Sequence, residues 1–66
     1  MKNSLKVERA ILNLTQGELA DKISVSRQTI HAIESGKYVP STILALKLAR
    51  VFDKPVEAFF VLENDD

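Results

Sequence analysis

Arg27, Gln28 and Thr29 stand side by side directly after Ser26, a residue type suited to capping a helix. A guanidinium can grip O6 and N7 of guanine in two parallel bonds, and a primary amide can do the same with N6 and N7 of adenine. A threonine or alanine methyl can meet the methyl of thymine. On a helix turning about 100° per residue, Gln28, Ala32 and Ser35 point away from the stripe of Ile30, Ile33 and Glu34, and Arg27, Thr29 and His31 take the flanks. The outward set holds no acidic residue, although a helix facing only water would normally carry Glu and Lys there. Gln16 and Lys37 are placed to meet phosphates and so to set orientation rather than sequence. Tyr38 can touch a nucleic-acid backbone or pack over its own loop, and both readings stay open.

Other chemistry finds little support. The chain has no cysteine, which excludes disulfide frameworks, thiolate metal sites and cysteine nucleophiles and fits a reducing, cytoplasmic setting. Its one histidine, His31, reads as a solvated helix residue rather than a ligand. No carboxylate pair, serine–histidine set or glycine-rich phosphate loop has supporting context, so neither an enzyme nor a cofactor is expected. The longest apolar run, Ala58 to Leu62, is too short to span a bilayer, and no signal-peptide pattern opens the chain.

The elements that must position these residues can be read from their punctuation. Ser4 is expected to cap a helix from Leu5 to about Asn13, with Leu5, Arg9 and Leu12 on one face, so that an arginine sits in an apolar stripe. Thr15-Gln16-Gly17-Glu18 has the pattern of a capping box, which opens a second helix over Gln16–Ile23. Ser26 opens a third over Arg27 to about Ser35, closed by Gly36. Ser41 caps a fourth through Val51 or Phe52, apolar around most of its circumference and therefore expected to be the buried central helix. Pro55 introduces a short fifth helix, Val56 to Phe60. Phe60 to Glu63 reads as a terminal strand pairing with residues 1 to 5 of the same chain or of a second subunit. Phe52, Phe59 and Phe60 are read as core or dimer interface, Asp65 and Asp66 as a solvated end, and Lys47, Arg50 and Lys54 as a solvated ridge of helix four.

The second and third helices belong together. Leu19, Ile23, Val25, Ile30 and Ile33 can fill the wedge between two steeply crossed helices, and Ala20 is small where their axes approach. The segment TQGELADKISVSRQTIHAIESGK, Thr15 to Lys37, resembles the helix-turn-helix of the phage-repressor and Cro family, also called the Xre family. The similarity runs from about Leu5 to Phe60, and the short length and trailing strand resemble its small dimeric members of the cytolysin-repressor type. The resemblance implies an all-α, five-helix, lambda-repressor-like domain with a short terminal strand or two-stranded sheet. It gives DNA-contact roles to Gln16, Arg27, Gln28, Thr29 and Ala32, and places the family's buried ion pair on Arg9 and Glu34. The turn position often held by glycine is Ser24 here; serine at positive φ costs about 1 kcal/mol.

Nine basic and nine acidic side chains cancel in total but not along the chain. Residues 1–50 hold eight Lys/Arg against four Asp/Glu, about +4, and residues 51–66 hold one against five, about −4. A field that steers toward phosphate survives this neutral sum. The expected domain is residues 1–66, with the helix-turn-helix over about 16–35 and a dimerisation tail over about 60–66. The expected function is a dimeric, sequence-specific repressor that occupies a pseudo-palindromic operator in double-stranded DNA. The rival is an antitoxin or accessory protein that mainly binds another protein; a DNA-packaging role and an enzyme rank below it.

Overall fold

Thr15 and Glu18 close the first junction as their spacing predicts. The Thr15 hydroxyl accepts from the Glu18 amide at 3.1 Å, and the Glu18 carboxylate accepts from the Thr15 amide at 2.9 Å. That amide holds the Glu18 carboxyl below its ordinary range, with the hydroxyl adding to the effect. The computed structural model describes residues 1–66 and contains helices α1 (Leu5–Ile11), α2 (Gln16–Lys22), α3 (Arg27–Glu34) and α4 (Thr42–Phe52). Strands β1 (Lys2–Asn3) and β2 (Phe60–Val61) pair antiparallel, Lys2 opposite Val61 and Asn3 opposite Phe60. No helix is long and apolar enough to cross a membrane.

The expected wedge is in place. Leu19, Ala20, Ile23, Ile30 and Ile33 are buried, and they join Leu5, Leu48, Phe52, Phe59 and Phe60 in one core, with Val25 half-buried beside it. The aromatic end of the chain is core: Phe52 and Phe59 meet edge to face at 5.1 Å and 86°. Between α2 and α3 the Val25 amide donates to the Ala20 carbonyl at 3.0 Å, which folds the turn back against α2. Ser24 supplies the left-handed residue this requires, at φ 60°. Ser24→Gly is therefore expected to raise the unfolding free energy by up to about 1 kcal/mol, since glycine adopts positive φ freely. A urea titration that shows no gain would refute strain at this turn.

Several expectations are corrected. The fifth helix is a single 3₁₀ turn, Val56–Ala58, because only three residues separate the extended Pro55 from Phe59, where the chain turns into β2. Helix α1 stops at Ile11 rather than near Asn13, since Asn13 takes φ 56° and turns the chain out of the helix. Ser4 makes no capping bond; the Asn3 side chain accepts from the Leu5 amide instead, at 3.1 Å. Leu12, placed on the inward face by periodicity, is exposed. The terminal strand is two residues long rather than four, and its partner lies in the same chain.

Helix α4 is not buried all round. Only Leu48 and Phe52 are buried, whereas Ile43 and Leu46 are 68% and 58% exposed. Lys54 does not belong to a ridge of α4: it follows the left-handed Asp53 and pairs with the buried Glu8 at 2.7 Å, tying α1 to the end of α4. Asp66 is not simply solvated either. The Met1 ammonium donates to Asp66 Oδ1 at 3.1 Å and lies 3.0 Å from Glu63 Oε1. The hydrogen bond to Glu63 is the main cause of the raised pKa of that ammonium, followed by the bond to Asp66.

Candidate nucleic-acid interface

The site is built on α3, whose N-terminus Ser26 caps by accepting from the Thr29 amide at 3.2 Å. No acidic residue stands in its first turn, so the positive end of the helix dipole is left uncompensated where Arg27 and Gln28 emerge. Arg27, Gln28, His31, Lys37 and Tyr38 are all exposed. None of these five side chains takes part in a hydrogen bond or ion pair within the chain. Their hydrogen-bonding capacity is directed outward.

The remaining candidates are more committed. The Thr29 hydroxyl lies 3.0 Å from the Ser26 hydroxyl and is half-buried in the cap, which leaves its methyl as the group able to face a ligand. Ala32 is half-buried. The Ser35 hydroxyl donates to the Ala32 carbonyl at 3.1 Å, so its proton serves the end of the helix and only its lone pairs remain free. Gln16, at the start of α2, is half-buried and donates from its amide nitrogen to Glu34 Oε1 at 3.1 Å.

That last bond joins Gln16 to the predicted ion pair. Arg9 Nε donates to Glu34 Oε2 at 2.8 Å and Nη2 to Oε1 at 3.3 Å, a two-point grip. Nη1 donates to the Leu14 carbonyl at 2.8 Å. The two side chains are 16% and 7% exposed, Arg9 and Glu34 respectively. Burial alone would raise the Glu34 carboxyl, but the hydrogen bonds from Arg9 and Gln16, with the Arg9 charge, outweigh it and hold the group below its ordinary value. One carboxylate thus ties α1, α2 and α3 together behind the exposed face.

A further contact escaped the sequence. Asn3 in β1 donates through its side-chain nitrogen to the Ile33 carbonyl near the end of α3, at 2.9 Å. Glu8 and Lys54 were likewise not foreseen as partners. Neither link has a periodic signature, because each joins positions far apart in the chain through single polar groups.

The helix-turn-helix family model, HTH_3, matches residues 5–59. The chain belongs to this family. An uncharacterized HTH-type transcriptional regulator of Methanocaldococcus jannaschii is 56% identical over 66 residues, covering all of both chains. Another from Archaeoglobus fulgidus is 44% identical across all of this chain and 93% of its own. YgzD of Bacillus subtilis, also an uncharacterized HTH-type transcriptional regulator, is 44% identical with both chains fully covered. The Xre-type resemblance of Thr15 to Lys37 therefore holds along almost the whole chain.

Proposed function

We propose that this helix-turn-helix protein is a transcriptional regulator that binds double-stranded DNA by sequence, as a two-fold dimer occupying a pseudo-palindromic operator. The observation that carries the reading is α3: a rigidly backed helix whose outer side chains, Arg27, Gln28 and His31, are uncommitted and free of acidic neighbours in the first turn. In a major groove Arg27 suits guanine and Gln28 suits adenine, with Thr29 and Ala32 offering methyl contacts to thymine. Gln16 and Lys37 would contact phosphates and fix the helix in register, joined by Tyr38 if it turns to the backbone, with Ser35 on the outward line of Gln28 and Ala32. The names of the relatives agree with the coarser part of this reading, a helix-turn-helix transcriptional regulator.

Dimerisation is supported by apolar surface left without a partner. Ile43 and Leu46 on α4 and Val61 and Leu62 at the end of the ribbon are all more than half exposed, Leu62 at 76%. Of these, Leu46 also lines a groove of about 260 Å³, together with Met1, Ala45, Val56 and Phe60. An exposed apolar surface of this kind marks a site of protein–protein contact. A second copy related by a two-fold axis would cover it and set two α3 helices about 34 Å apart, in successive major grooves. Operator occupancy would then exclude polymerase, making repression the simplest outcome, in the cytoplasm where the DNA lies.

The test is selection of duplexes from a random pool by the wild-type protein, with sedimentation of wild type and Leu46→Asp. A recovered palindrome, together with a dimer that Leu46→Asp dissociates, is the expected result. A pool without enrichment, or co-purification of a stoichiometric protein on the apolar face, would favour the accessory-protein reading.

A further inference from the structure

Asn3 occupies an unusual junction. Its backbone is in β1, opposite Phe60 of β2. Its side-chain oxygen accepts from the Leu5 amide at the start of α1, and its side-chain nitrogen donates to the Ile33 carbonyl at 2.9 Å. One residue away, Glu34 is held by Arg9 from α1 and by Gln16 from α2. The C-terminal turn of α3 is thus fastened from three directions, and Asn3 is the only one of the three fasteners that comes from the ribbon. The N-terminal turn carries the uncommitted Arg27 and Gln28, and no hydrogen bond or ion pair ties it to another element.

We infer that Asn3 is a positioning residue that fixes the angle of α3 relative to the ribbon, and so fixes the distance and rotation between the two reading helices of a dimer. The inference rests on the regulator reading above and on a dimer face that includes the ribbon end. In such a dimer the path from one α3 to the other runs through the ribbons and α4 faces. Core packing limits how far α3 can move, and of the directional bonds at its C-terminal turn the one from Asn3 is the one that sets its tilt against the ribbon. Asn3 therefore governs tolerance of operator spacing rather than recognition of each half-site. One base pair inserted between half-sites moves them apart by about 3.4 Å and rotates them by about 34°, which a stiff dimer cannot follow.

Asn3→Asp separates the two bonds. A carboxylate still accepts from the Leu5 amide, but it cannot donate to the Ile33 carbonyl. The experiment measures binding of wild type and Asn3→Asp to a single half-site and to full sites whose centres are lengthened or shortened by one base pair. Wild type is expected to favour the correct full site over the half-site by about 10²-fold or more, the ordinary gain from linked binding, and to lose most of that gain at either altered spacing. Asn3→Asp is expected to match wild type on the half-site, to bind the correct full site about tenfold more weakly, and to distinguish the three spacings poorly. A dimeric Asn3→Asp with the wild-type spacing profile overturns the inference. If Asn3→Asp does not fold, Asn3→Ser, whose hydroxyl can still accept from the Leu5 amide but is too short to replace the amide nitrogen at the Ile33 carbonyl, carries the same comparison, and if neither folds the bond is a requirement of the fold and the positioning role is overturned. A pool that yields no preferred sequence for wild type overturns the regulator reading itself, and this inference with it, which keeps the two failures distinct.

Discussion

Glu34→Ala is expected to lower the unfolding free energy by about 3 to 5 kcal/mol, the cost of stranding one member of a buried ion pair. A chain of this size has a total stability of about 3 to 10 kcal/mol, so the loss is a large share of the whole, and toward the lower end of that range it unfolds much of the variant at ordinary temperature. The size of the effect follows from what is orphaned. Arg9, 16% exposed, keeps only its bond to the Leu14 carbonyl, and Gln16 loses its acceptor. Replacing both ion-pair partners with apolar residues, as in Arg9→Met with Glu34→Leu, should recover much of the loss because no charge is then left unpaired. Acid should act in the same direction. The folded carboxyl sits below its ordinary value of 4.5, so its contribution is fully present above that pH and is lost as the pH falls through the folded value. Denaturant titrations from neutral pH downward, with Glu34→Gln as the reference that lacks this titration, would measure both effects. A Glu34→Ala protein as stable as wild type would remove the ion pair from the account of the fold.

The second large effect concerns the outer face of α3. Gln28→Ala should reduce affinity for the selected operator by about 10- to 100-fold, the range for one bidentate base contact. It should leave affinity for a scrambled duplex and the slope of affinity against salt nearly unchanged. Lys37→Ala should do the reverse: binding weakens on every sequence alike, and the salt slope falls by about one counterion. Arg27→Ala is expected to combine the two patterns, losing both a base contact and a charge near phosphate. Fluorescence anisotropy across a salt series distinguishes the classes. If Gln28→Ala and Lys37→Ala were indistinguishable, α3 would be bound by its charge and not reading sequence.

The parts of this molecule that were legible in its sequence are those governed by neighbours in the chain. The capping box at Thr15 and Glu18, the caps at Ser26 and Ser41 and the left-handed Gly36 are local arrangements, and their spacing is enough to place them. The Arg9–Glu34 pair was legible because each charge interrupts an apolar stripe, and also because the family resemblance assigned it. Helix α4 shows where this logic stops. Periodicity registers that Ile43, Leu46, Leu48 and Phe52 are apolar, but it cannot tell a face buried in the core from one left exposed. The fifth helix failed for a different reason: Val56 to Phe60 is too short for cooperative helix formation, and pairing of Phe60 with Asn3 draws the segment into the ribbon. The links from Asn3 to Ile33 and from Glu8 to Lys54 depend on side-chain reach across the folded chain, which no spacing rule encodes.

The pairing of Lys2 with Val61 closes almost the entire chain into one loop, and this has a consequence for the order of folding. Joining distant ends costs more chain entropy than joining near ones, so the ribbon gains stability only after a core exists to hold its strands together. The capping box and the α2–α3 wedge close within a few turns of chain and are suited to form first. Trimming Ile30 to valine in the wedge should therefore slow refolding, while trimming Phe60 to leucine in the ribbon should mainly hasten unfolding. Stopped-flow chevrons would show this division directly, and slower refolding of the Phe60 variant would place the ribbon in the nucleus. On this order of events, α2 and α3 are assembled before the two ends of the chain meet.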